Sequence, residues 1–99
     1  MKARLLLTSA LFLFVQIQAQ AQVMVDVSKI TCGDFLIGKP VPSKYIVLWL
    51  SGYYNAKLNN TIVDPEAMSK NDQKVETFCD QHADMTVMDA VKSVLGLDK

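Results

Sequence analysis

Three side chains in this chain have the type and spacing to do chemistry: Cys32, Cys79 and His82. Cys79 and His82, in the run CDQH, stand three residues apart, so on a helix they share one face. Such a pair could ligate a metal, or act as a nucleophilic thiolate with its base. A structural zinc site uses four nitrogen or sulfur ligands, and adding Cys32 still leaves the set short. A Cys–His nucleophile needs a free thiol. In an exported protein, two cysteines read first as a disulfide, and the Cys32–Cys79 pairing is preferred to both other readings. His82 is then a helix-end residue, favoured by the C-terminal dipole.

Other reactive patterns are missing. The ten acids are scattered singly, mostly at helix starts or polar positions, which suits capping and solubility better than paired acid–base work. There is no glycine-rich phosphate loop and no G-x-S-x-G. Asn59-Asn60-Thr61 matches a glycosylation sequon, relevant only in a eukaryotic source. Nothing supports an enzyme, and no cofactor or metal is expected.

Export is written at the start. Lys2 and Arg4 precede the apolar run Leu5 to Val15, and Ala19-Gln20-Ala21 fits an A-x-A cleavage site. The alternative is an N-terminal membrane anchor, but the run is short for a bilayer. Residues 1–21 are therefore expected to be a cleaved secretory signal, with the cut after Ala21, and 22–99 one small domain. Removing Lys2 and Arg4 leaves eight basic residues against ten acids, a net charge of −2 with His82 neutral. That is not the basic excess of a nucleic-acid binder.

A domain of this size buries only about 60% of the surface its unfolded chain exposes. A disulfide closing a loop of nearly fifty residues would contribute roughly 4 kcal/mol in the chain-entropy model, against a total stability of about 5–15 kcal/mol.

The elements that must position these residues read as helices. Val23, Val25 and Val27 alternate with polar or flexible neighbours and suggest an extended arm. Thr31, with Asp34 three residues on, starts a short helix ended by Gly38, Pro40 and Pro42. Ser43 caps a second helix to about Lys57, with Ile46, Trp49, Leu50 and Tyr53 at i, i+3, i+4 and i+7. A strand is the alternative there, since Ile46, Val47 and the aromatics favour sheets, but no partner strand with a hairpin turn is visible. Asn59-Asn60 is a turn. Asp64-Pro65-Glu66 predicts a short helical turn over Pro65 to Met68. Ser69 with Asp72 starts a separate helix, with the stripe Val75, Phe78, Cys79 and His82. Thr86 with Asp89 starts the last, with Val87, Val91, Val94 and Leu95 inward, and Gly96 stops it. The expected fold is an all-α bundle of about four helices tied by one disulfide.

The run YIVLWLSGYY, Tyr45 to Tyr54, is apolar nearly all round as a helix. One reading buries it centrally. The other helices are short, however, and an apolar surface beyond a few hundred Å² marks a binding face. A self-association face, with a twofold dimer the commonest form, is the economical answer.

TCGDFL, the aromatic WLSGYY segment, the second cysteine in VETFCDQH and the ending TVMDAVKSVLG together resemble the HdeA/HdeB family of periplasmic acid-stress chaperones, over about Ile30 to Gly96. Trp49 in the second helix is nearer the HdeB side of the family. The resemblance implies a small helical fold with the Cys32–Cys79 bridge and a homodimer near neutral pH that loosens in acid. It also implies binding of acid-denatured periplasmic proteins without ATP, and no membrane association after signal cleavage. Phe35, Ile46, Trp49, Leu50 and Tyr53 are the expected dimer and client surface.

Charge chemistry permits such a response. Near pH 2 the ten acids are mostly neutral, so each subunit swings from −2 to roughly +10. Two subunits that tolerate each other at neutral pH would then repel. The bridge survives, because thiol–disulfide exchange needs thiolate. Asp64-Pro65 runs the other way, being a bond type prone to acid cleavage.

Overall fold

The computed structural model describes residues 23–97; the expected signal segment and its cut after Ala21 lie outside the described residues. A 3-10 turn, Val27–Lys29, precedes four helices: α1 (Cys32–Ile37), α2 (Ser43–Lys57), α3 (Pro65–Asp80) and α4 (Val87–Leu95). No helix among the described residues is long and apolar enough to cross a membrane.

Side-chain oxygens that satisfy the first free amides of a helix set most of the boundaries, each contributing about 1 kcal/mol. Asp34 N donates to Thr31 Oγ1 at 3.1 Å, and Asp89 N to Thr86 Oγ1 at 3.2 Å. Gly38 and Gly96 adopt φ of 71° and 67° and close α1 and α4 in the left-handed conformation. At α2 the expected cap moves by one: Ser43 is already helical, and Pro42 precedes it without a side-chain cap. Proline before the helix supplies the turn through its carbonyl, which accepts from Tyr45 N at 3.1 Å.

The expected break between Pro65–Met68 and a helix from Ser69 does not occur: α3 runs unbroken through Pro65–Asp80. Asp64 Oδ1 accepts from Ala67 N at 3.0 Å, Pro65 sits at the first helical position, and nothing after it interrupts propagation. Glu66 and Lys70, at i and i+4, pair at 3.0 Å across the expected break. Both are exposed, so the pair adds only about 0.3–0.5 kcal/mol.

Helices α1, α3 and α4 form one tied unit. Cys32 and Cys79 are bonded and fully buried, joining the start of α1 to the end of α3. Backbone bonds join the starts of α1 and α4: Cys32 N donates to Met85 O at 2.7 Å, Val87 N to Ile30 O at 2.9 Å, and Gly33 N to Ala83 O at 3.0 Å. Phe35, Val75, Val87, Ala90 and Val91 fill the space between. Each larger aliphatic or aromatic side chain so buried contributes about 1.5–3 kcal/mol. Helix α2 packs on α1 and adds Ile46 and Leu50 to the same core.

Candidate functional site

Helix α2 has two unlike sides. Ile46 and Leu50 point into the core, and the Tyr54 hydroxyl donates to Met88 O at 3.4 Å. On the outer side Tyr45, Leu48 and Trp49 are exposed, and so are Leu36 and Ile37 at the end of α1. Trp49 and Tyr53, one turn apart, stack with ring centroids 4.9 Å apart and planes 13° from parallel. Lys57, one turn further, holds its ammonium 4.4 Å from the Tyr53 centroid. The result is an ordered ladder of aromatic faces ending in a cation, an arrangement suited to apolar or aromatic contact.

The expected surface residues therefore divide. Phe35, Ile46 and Leu50 are 2, 4 and 5% exposed and lie inside the fold, whereas Trp49 is 44% exposed and Tyr53 half-buried. The structure brings Trp49 and Tyr53 together and separates them from the other three. Leu36, Ile37, Tyr45 and Leu48 were not among the expected residues. The signal for the last two was present, because Tyr45, Leu48 and Trp49 form their own i, i+3, i+4 stripe.

Between α2 and the α3–α4 pair runs a groove of about 380 Å³. Leu50 and Tyr54 line one side and Val75, Val91 and Leu95 the other, with Phe35 of α1 between. Asp72 of α3 is the one charged side chain in this lining. Its Oδ1 is buried and has no hydrogen-bond partner among the described residues, and burial raises its pKa from the ordinary aspartate value. Glu76, one turn on, is also raised, first by burial and then by the charges of Asp72 and Asp80. Asp26 is the opposite case: bonds from the Ser28 hydroxyl at 2.6 Å and amide at 3.0 Å lower its pKa.

The cysteine–histidine pair resolves by geometry. Cys79 is bonded to Cys32, so it offers no thiol to His82. His82 Nδ1 instead donates to Phe78 O at 2.8 Å, and its ring stacks on Phe78 with centroids 4.0 Å apart. The histidine finishes α3.

The model of the HdeA/HdeB family matches residues 4–89. A search of curated proteins and a search of solved structures each gave no match. With most of its length matched, through both cysteines and the aromatic second helix, the chain belongs to the HdeA/HdeB family.

Proposed function

We propose that this protein is an ATP-independent periplasmic holdase activated by acid. The family is one of acid-stress periplasmic chaperones. In this reading residues 22–99 form the mature protein, released after Ala21. Near neutral pH two copies cover each other's α2 faces; in acid they part and hold unfolding proteins by the same faces.

One observation carries the reading: Tyr45, Leu48 and Trp49 stand exposed on a helix whose opposite side, through Ile46 and Leu50, already serves the core. Folding alone gives these side chains no cover, whereas a second copy or an unfolded chain does. The division of labour also suits a tethered opening. Helices α1, α3 and α4 are joined by the disulfide and the backbone clamp, while α2 depends on side-chain packing. Charge repulsion in acid falls on the whole chain, and α2, held by side-chain packing and the Tyr54 hydroxyl bond to Met88 O, has no disulfide to resist it. Its movement would add Phe35, Ile46 and Leu50 to the client surface.

Sedimentation from pH 7 to pH 2, with a client-aggregation assay on the same samples, tests this. The expected result is falling dimer mass together with rising client protection. Equal protection at both pH values, or none at either, contradicts the reading. A second reading, a constitutive binding module for a fixed partner or apolar ligand, is favoured by the groove beside α2, which is open without any acid step.

A further inference from the structure

The backbone link from the α2–α3 loop into α3 joins Asp64 to Pro65, and both residues are exposed to water. The Asp64 carboxyl stands close along its own side chain to the Asp64 main-chain carbonyl, and a nucleophile so tethered outpaces one from solution by orders of magnitude. Pro65 makes the bond a tertiary amide, whose nitrogen leaves as a secondary amine. Helix α3 holds both reacting groups: Asp64 Oδ1 accepts from Ala67 N at 3.0 Å, and Asp64 O accepts from Met68 N at 3.0 Å. The carboxyl must leave its cap before it can turn onto its own carbonyl, so the reaction waits for the first turn of α3 to open. Residues 58–63 carry no charge. The charged groups that flank the bond along the chain are Lys57, held over the Tyr53 ring, and Glu66, paired with Lys70.

We propose that Asp64–Pro65 is an acid-triggered self-cleavage site that turns the protein into two chains still joined by the disulfide. The Asp64 carboxyl oxygen bonds to the Asp64 carbonyl carbon and closes a cyclic anhydride. The carbon–nitrogen bond breaks. The Pro65 nitrogen keeps its electron pair, takes the proton that the carboxyl gives up, and is protonated again by the acid. One water opens the anhydride, its hydroxyl going to one acyl carbon and its hydrogen to the other carboxyl oxygen. The cut falls between Cys32 and Cys79, so the piece holding α1 and α2 stays bonded to the piece holding α3 and α4. The amide bonds from Cys32, Gly33 and Val87 lie away from it. Helix α3 keeps the disulfide and its link to α4, whereas α2 is left attached only through residues 38–42. Pro65 becomes a cationic terminus at the start of α3, where the helix dipole disfavours positive charge, and the cap is no longer attached. The cut therefore loosens α2 and the first turn of α3 and leaves the α1–α3–α4 clamp standing.

The test keeps the oxidised mature chain at pH 2 for days. Unreduced protein should gain the mass of one water, and reduction should then release two pieces, one ending at Asp64 and one starting at Pro65. D64S keeps a capping hydroxyl but no carboxyl and should stay whole. P65A keeps the carboxyl but loses the tertiary amide, and should cleave at least about tenfold more slowly. Concentrated urea at the same pH frees the cap and should speed cleavage of the wild type at least about threefold. In the nicked protein at pH 7, hydrogen exchange should rise in α2 and at Ala67 and Met68, with the Cys32, Gly33 and Val87 amides still protected. A wild type that stays whole, D64S or P65A cut as fast as wild type, no gain in urea, or loss of protection throughout the nicked chain overturns the proposal. The site does not rest on the holdase reading: D64S that protects clients in acid as well as wild type leaves that reading standing whatever happens at this bond.

Discussion

Replacing Asp72 by asparagine should stabilise the protein at neutral pH and do nothing in acid. The carboxylate is partly buried with one oxygen unpaired, and it stands one helical turn from Glu76. An unsatisfied buried polar group costs about 1–3 kcal/mol. The low end applies, because the residue is only partly buried and the amide keeps an oxygen in the same place. Like charges at i and i+4 add about 0.2–0.5 kcal/mol. Solvent screening reduces both, so a net gain of about 1 kcal/mol is expected. In a domain of this size that raises Tm by about 4–8 °C. The sign follows from linkage: a carboxyl with a raised folded pKa is a penalty while ionised, and the penalty fades as pH falls through that pKa. Below the ordinary carboxylate range both side chains are neutral and the two melting curves should coincide. Thermal melts of wild type and D72N at pH 7 and near pH 2 decide it. A variant no more stable at pH 7, or one whose gain persists unchanged in acid, refutes the reasoning.

Four other variants separate the parts of the molecule. Replacing Cys32 and Cys79 together by alanine opens a loop whose ends are 47 residues apart and should cost about 4 kcal/mol, read as a lowered urea midpoint relative to the oxidised wild type. Trp49→Ala should change stability by less than about 0.5 kcal/mol yet abolish dimer mass in sedimentation at pH 7, whereas Leu50→Ala, on the core side of the same helix, should cost about 2–5 kcal/mol in chemical denaturation. Asp26→Ala removes a cap whose pKa is lowered, first by the Ser28 hydroxyl. Hydrogen exchange at Ser28 should speed up in the variant at pH 7, and in wild type only as pH falls through the depressed Asp26 value, with the rest of the chain unaffected.

Local chemistry was legible in the residues. Thr31 and Thr86 as caps and Gly38 and Gly96 as stops follow from short-range patterns, because capping and left-handed glycine act within a turn; the Cys32–Cys79 bond follows instead from the cysteine count, since two cysteines allow one intramolecular pairing. The run from Pro65 to Asp80 was misread as two pieces because Ser69 and Asp72 imitate a cap, and a capping pattern inside a helix stops nothing unless the chain leaves helical geometry there. Asp72 accordingly passed for a helix-start residue, and its place in the groove was invisible.

What the sequence by itself determined is the helical content, the ends of α1 and α4, the covalent tie and the surplus of apolar side chains on α2. Only the tertiary structure decided which of those side chains face inward. A helix apolar on almost every side has no preferred direction of its own, so its orientation is chosen by the shape of the surface it meets. That surface, built by α1, α3 and α4, took Ile46 and Leu50, left Trp49 outside, and kept a groove with one unpaired carboxylate between.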